Sequence, residues 1–313
     1  MTTSAVLNSS QARPEIAPGF RRLSLLTAFW IWLLIVVGGV VRVTGSGLGC
    51  PDWPLCYGQV LPPPDTTALI EFSHRFVAGV GGLLILATVW LAWRRYRAHP
   101  WIIWPTTIMI VVLPLQFVLG AIVVLTELEP LSVAVHLGTA LIIFACALLA
   151  ALYANQPAGL DREALSARYL NLLRAAVAAL FLLLTTGAVV VGEGASYSCP
   201  DWPLCNGRVL PPPDAPLPVW LHVTHRYTVV IIGVLLLGVV IAFLRERASR
   251  PIMARWAVWL GVLFLLQAAI GAVKIWSHLA TVWRVAHLGT AAAVWAVLII
   301  LAGLGYLQRA SLD

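Results

Sequence analysis

The chain has 313 residues, 60% of them hydrophobic and only 11% charged, with a formal net charge of +7. A soluble domain carries about twice that charged fraction, so the composition excludes an ordinary water-soluble globular protein. It also argues against a nucleic-acid partner, because the cations are sorted along the chain to suit a membrane and are not pooled in one patch.

A polar tail, residues 1–21, precedes a first apolar run at roughly 22–43, long enough to cross a bilayer at about 20 residues per crossing. No short cleavable leader is expected. A loop reading CPDWPLC follows at Cys50–Cys56. The second run, roughly 73–93, is entered through EFSHR at 71–75; the third, roughly 101–125, holds Gln116 and Gly120; the fourth, roughly 132–153, carries HLGTA at 136–140. After a linker at 154–169 the same order returns. Run five is roughly 170–192, CPDWPLC recurs at Cys199–Cys205, and run six, roughly 223–244, is entered through HVTHR at 222–226. Run seven, roughly 254–275, holds Gln267 and Gly271; run eight, roughly 284–306, carries HLGTA at 287–291; a tail at 308–313 ends the chain.

Arg21, Arg22, Arg94, Arg95, Arg97, Arg162, Arg168, Arg174, Arg245, Arg247, Arg250, Arg255 and Arg309 flank one side of these crossings. Only Arg42, Arg208, Lys274 and Arg284 lie near the other. Cytoplasmic flanks collect Lys and Arg, so both termini are expected in the cytoplasm, with the cysteine loops on the outer side. The repeat sets the fold expected. CPDWPLCYGQVLPPPD (50–65) matches CPDWPLCNGRVLPPPD (199–214) at an offset of 149 (199 less 50), and after a two-residue insertion the offset is 151 (225 less 74). Each copy holds four spans, and an even number sends both copies into the membrane in the same direction. The expectation is an all-α integral membrane protein of eight transmembrane helices. It forms two parallel-repeat four-helix bundles, 22–153 and 170–307, related by a pseudo-two-fold axis along the membrane normal.

Ionisable residues inside spans are functional hypotheses by default. His74, His136, His225 and His287 recur at equivalent places near the outward ends of the even-numbered spans, two per copy. Two imidazoles facing each other across a bundle can take both axial positions of a haem iron. Ala78 and Gly82 below His74, Ala140 and Ala291 below His136 and His287, and Gly233 below His225 are expected to leave room for the macrocycle. The alternatives are histidines that tie helices together by hydrogen bonds, and zinc, which wants more ligands than each copy offers. Arg75 and Arg226, next to the second-helix histidines, are candidates to pair with haem propionates, or to mark the interface. Lys274 and Arg284 are weaker candidates of the same kind.

The copies differ most tellingly where Glu71 aligns with His222, each three residues before an axial-candidate histidine and on its helical face. A carboxylate beside one cofactor site and not the other can act as a base or stabilise a developing cation there. Val123 aligns with Lys274, and Thr44 with Glu193. Four of the five cysteines sit in the two loops, and the fifth, Cys146, is expected to be an apolar filler. The five intervening residues exclude the C-x-x-C redox spacing. A disulfide in each loop on the oxidising outer side, electron exchange by the first pair, and metal binding by the four thiols all stay open from the residues alone.

The duplicated eight-span pattern resembles haem A synthase: EFSHR before span two, HLGTA in spans four and eight, HVTHR before span six, and cysteine pairs in the first and third outward loops. The likeness runs from about Arg22 to about Leu307. It implies a bacterial cytoplasmic-membrane enzyme with haem b in the C-terminal half on His225 and His287. The substrate haem O would lie in the N-terminal half, approached by His74 and His136, with Glu71 catalytically important. It implies oxidation of one methyl of haem O to an alcohol (haem I), then to the formyl group of haem A. A haem O synthase would supply the substrate, and terminal oxidase assembly would take the product. The cysteine pairs, Cys50–Cys56 and Cys199–Cys205, are then disulfides, the first of them near the substrate half. The competing reading is a b-type haem electron carrier that performs no chemistry on haem. A membrane thiol oxidase without haem stands behind both, and a homo-oligomer is compatible with all of them.

Overall fold

The computed structural model describes residues 16–156 and 164–310, with side chains to 307. The tail before residue 16, the middle of the linker with Arg162, Arg309 and the C-terminal tail lie outside the described residues or side chains. Among the described residues there are eight α-helices and one short 3₁₀ turn: α1 (Pro18–Val43), α2 (Thr66–Arg95), α3 (Pro100–Leu125), α4 (Pro130–Ala154), α5 (Ala167–Gly192), α6 (Leu217–Arg245), α7 (Pro251–Trp276) and α8 (Thr281–Ala310). All eight are long and apolar enough to cross a bilayer, and the chain is an integral membrane protein. Proline at the first or second position opens α1, α3, α4, α6 and α7, where its missing N–H is no loss.

The helices begin earlier than hydropathy alone suggests, most of all α2 and α6. Asp65 caps α2, accepting hydrogen bonds from Thr67 N (2.9 Å) and Ala68 N (3.0 Å), so the residues from Thr66 to Phe72 join the helix ahead of its long apolar run. His74 and His225 therefore sit eight residues inside α2 and α6, roughly 12 Å along each axis, and not at the helix mouths. Glu71 and His222 lie on helix as well, and both are buried.

Helix contacts fall into two closed sets, α1–α2–α3–α4 back to α1 and α5–α6–α7–α8 back to α5. The sets meet through α4 with α5, α1 with α8, and α4 with α8. The centre is apolar, with Leu141, Phe144, Leu173, Leu236, Leu260, Leu298 and Leu304 among its buried residues. Trp295 Nε1 donates to Leu141 O (3.1 Å) and Trp32 Nε1 to Gly289 O (3.2 Å), which fixes α8 against α4 and α1. A Cβ on Gly39 would lie 2.6 Å from Leu288 Cδ2, so the α1–α8 approach needs glycine there. Near the C-terminal end of α1, Arg42 donates to the terminal carbonyls Val191 O and Gly192 O of α5, and Arg284 donates to Val43 O of α1. Cations at helix C-termini are favourable. Arg284 is thus used between the halves.

The two cysteine loops are near copies. Disulfides Cys50–Cys56 and Cys199–Cys205 are formed, and Cys146 is the one free cysteine, buried in α4. Both loops contain a cis proline, Trp53–Pro54 and Trp202–Pro203. The Asp52 carboxylate accepts from Tyr57 N (2.6 Å) and Gly58 N (2.7 Å), as Asp201 does from Asn206 N (2.6 Å) and Gly207 N (2.7 Å). The turn needs positive φ at Gly58 (71°) and Gly207 (72°), a glycine conformation.

Candidate functional site

Each of the four repeated histidines lies against a glycine of the preceding helix. A Cβ on Gly38 of α1 would stand 3.2 Å from His74 Cε1, and one on Gly187 of α5 3.3 Å from His225 Cε1. The α3–α4 and α7–α8 pairs repeat this, with Gly120 3.4 Å from His136 Cε1 and Gly271 3.2 Å from His287 Cε1. A side chain at any of these positions would push the ring away, so four bare backbones set four imidazole orientations. The sequence carried the signal: Gly38 and Gly187 are one offset apart, as are Gly120 and Gly271. Neither pair was assigned to a histidine from the sequence.

The rings themselves are half-buried. His74 and His136 lie within electrostatic range of each other, as do His225 and His287. Nδ1 of all four is buried and finds no hydrogen-bond partner. Helix-tying histidines use both nitrogens, whereas these leave one sealed from the protein in every case. Such orphaned atoms call for an explanation, and a polar partner from outside the protein would supply one. The other ring nitrogen is Nε2. On α4 and α8 that nitrogen has a neutral neighbour: Gln116 Nε2 lies 3.3 Å from His136 Nε2, and Gln267 Nε2 lies 3.3 Å from His287 Nε2. Gln116 is further held by a hydrogen bond from Thr139 Oγ1, while Gln267 Oε1 is unpartnered. Among the described residues no three His, Cys, Asp or Glu side chains converge, so the donor sets are pairs, as two axial haem ligands require. The residues fit a bis-histidine haem in each half.

Two expectations need correction. Gly82 and Gly233 do not open space for a ring below the histidines: Phe117 (3.4 Å from the ideal Cβ) and Phe264 (2.8 Å) from the neighbouring helices pack onto them. Arg75 and Arg226, the candidate propionate partners, are tied to groups of the protein itself. Arg75 donates from Nε to Glu71 Oε1 (3.0 Å), from Nη1 to Asp52 O (2.9 Å) and Leu55 O (2.6 Å), and from Nη2 to Cys50 O (3.0 Å). Arg226 donates to Asp201 O (2.9 Å), Pro203 O (3.3 Å), Leu204 O and Cys199 O (3.3 Å), with its Nη2 3.3 Å from His222 Nε2. Backbone carbonyls of the disulfide loops take most of the donors that a propionate would use.

Glu71 and His222 are each only 5% exposed, unusual for a carboxylate in an apolar helix. Glu71 is paired with Arg75 one helical turn on. Its counterpart His222 has an unpartnered Nδ1. The first site therefore has a buried carboxylate three residues from its histidine, and the second a neutral-capable ring. Lys274, near the end of α7, lies within electrostatic range of His225, His287 and Arg226, so the second site also has a cation where the first has Val123.

Comparison with known proteins gives a family. The family model COX15-CtaA, described as cytochrome oxidase assembly protein, matches residues 21–299. A haem A synthase of Shouchella clausii is 31% identical over 271 residues, covering 84% of this chain and 89% of the relative. That of Bacillus pumilus is 28% identical over 282 residues, covering 85% and 89%. One from Exiguobacterium sibiricum is 33% identical over 212 residues, covering 66% and 70%.

Proposed function

The chain belongs to the COX15-CtaA family of cytochrome oxidase assembly proteins, and from that premise we propose that it is a haem A synthase. In this reading it oxidises one methyl group of haem O to a hydroxymethyl group (haem I) and then to the formyl group of haem A. The observation that carries it is the buried Glu71 beside one of two repeated histidine pairs. A carboxylate in one half alone gives the two sites different charge, as a reaction site and an electron-carrying site require.

The two contact sets of helices are read as two four-helix bundles, related by a pseudo-two-fold axis along the membrane normal. The cysteine loops face the outer side of a bacterial cytoplasmic membrane, and the termini face the cytoplasm. His225 and His287 hold haem b, which when bound supplies an iron that accepts and passes single electrons. His74 and His136 hold the substrate haem O and keep its macrocycle still. Glu71, three residues from His74, faces the edge of that substrate. There its carboxylate stabilises positive charge developing at the methyl carbon, or takes a proton from attacking water. The helices around it exclude bulk water, so one oriented carboxylate acts strongly. Gln116, held by a hydrogen bond from Thr139 Oγ1, stands beside the His136 ring from α3.

The test is expression with a source of haem O, followed by extraction of haems from the membranes. Haem I and haem A are expected. Haem B with unchanged haem O alone would favour the b-type carrier and end the enzyme reading.

A further inference from the structure

We propose that Arg75 is a positioning residue that fixes the Glu71 carboxylate by tying it to the disulfide-closed loop 50–56. The inference rests on the enzyme reading above and adds to it how the reacting end of the site is held. Four N–H donors of one guanidinium are used: one on Glu71 Oε1 and three on the carbonyls of Cys50, Asp52 and Leu55. Those three carbonyls point at a single spot only because the chain between the cysteines is closed on itself. The bond Cys50–Cys56 closes its ends, and Asp52 gathers the Tyr57 and Gly58 amides. A buried carboxylate with no fixed partner costs free energy and wanders among rotamers. Held at 3.0 Å by a planar fork whose other arms are anchored, it has one position.

The loop is in turn seated on α2 itself. A Cβ on Gly49 would stand 2.2 Å from Thr67 O, so the chain entering the loop presses directly on the first turn of the helix that carries Glu71 and His74. Cys50 and Cys56 are buried against Ala68 and Phe72 of the same helix. Disulfide, loop carbonyls, Arg75 and Glu71 thus form one continuous support. The second copy uses the same clamp for a different end group. Arg226 gathers the carbonyls of Cys199, Asp201, Pro203 and Leu204, and its free edge meets His222 Nε2. What the clamp presents, and not the clamp, differs between the halves.

The experiment uses the full-length protein in membranes supplied with haem O. It compares Arg75→Lys, Glu71→Asp, the double variant and Cys50→Ser/Cys56→Ser. Protein level and the Soret band per protein are read first, then the haem A to haem I to haem O ratio. Lysine keeps the charge but cannot span Glu71 and three carbonyls. Arg75→Lys is expected to lower haem A at least fivefold with bound haem b retained, and to shift the haem I to haem A ratio as Glu71→Asp does. The double variant is expected to be no worse than the poorer single, because both act on one carboxylate. The cysteine variant, which leaves Arg75 in place, is expected to shift the ratio the same way. Wild-type product ratios in both the Arg75 and the cysteine variants would overturn the inference, and so would losses that multiply in the double variant. A wild-type chain that makes neither haem I nor haem A overturns the enzyme reading instead, so the two failures are distinguishable.

Discussion

The junction between the first cysteine loop and α2, residues 50–75, and its copy at 199–226 are made of the same parts. In both, a carboxylate gathers two amides, a disulfide closes the ring, and an arginine one residue past the axial-candidate histidine collects loop carbonyls. They part at the buried group the arginine finally reaches: Glu71 in one, His222 in the other. A second difference lies across the site, where Val123 of α3 is replaced by Lys274 of α7. A third is at the seat of the loop, where Gly49 stands against the α2 backbone and Ser198 takes its place in the copy. The two copies keep the same loop clamp and differ in charge: one carries a buried carboxylate, Glu71, and the other a cation, Lys274.

The sharpest way to break that comparison is to erase it. Glu71→His makes the first site like the second, and haem A output is expected to fall by about 100-fold or more, the usual scale for losing one oriented charged group. Haem b in the C-terminal half is expected to be retained. Haem extraction with a difference spectrum of the same membranes measures both, and output within twofold of wild type would remove Glu71 from the chemistry. The next effect comes from the glycine seats. Gly187→Val thrusts methyl groups at His225 Cε1, now 3.3 Å from the ideal Cβ, and Gly38→Val does the same to His74 at 3.2 Å. Overpacking of this kind costs about 1–3 kcal/mol. Gly187→Val is expected to lower the haem b content of purified protein severalfold. Gly38→Val is expected to leave haem b in place and lower haem A. Equal loss of haem b from both would mean that the two sites are not independent.

Much of this was legible in the residues. The eight spans stand out because a bilayer demands long apolar runs, and the repeat aligned the four histidines and isolated Glu71 by subtraction. Contacts that depend on three-dimensional approach were not legible. Arg75 and Arg226 look like propionate partners because arginine beside a ligand histidine is a good anion site. Only the folded loop shows that backbone carbonyls, which sequence motifs do not display, take most of the donors. Gly82 and Gly233 read as empty space because a missing side chain says nothing about what the neighbouring helix inserts, here Phe117 and Phe264. The early start of α2 was hidden because a cap at Asp65 extends a helix into residues that hydropathy assigns to the loop.

Two smaller effects sharpen the comparison. Lys274→Val gives the second site the apolar residue of the first. Removing a nearby cation destabilises the reduced iron, so the midpoint potential of the C-terminal haem is expected to fall by on the order of tens of millivolts. Potentiometric titration of the purified protein checks this, and an unchanged or raised potential would separate Lys274 from the cofactor.

The smallest effect lies in the loops. The Gly58 and Tyr57 amides hold the Asp52 carboxyl below the usual carboxylate range. In the copy, burial opposes the amides of Gly207 and Asn206, which still hold Asp201 low. A carboxylate depressed in the folded state stabilises its loop above its unfolded value, about pH 4. That support is lost as pH falls through the folded value. Reduction of the disulfides by a phosphine, taken at each pH relative to an unconstrained disulfide so that protonation of the phosphine cancels, is therefore expected to quicken in relative rate from about pH 7 down to about pH 3. Asp52→Asn and Asp201→Asn are expected to raise the rate at neutral pH in their own loops and to flatten its pH dependence. If loop one supports Glu71 and loop two supports only His222, Asp52→Asn shifts the haem I to haem A ratio more than Asp201→Asn does. Equal shifts would mean that the two clamps, and not only the groups at their ends, serve the same half of the reaction.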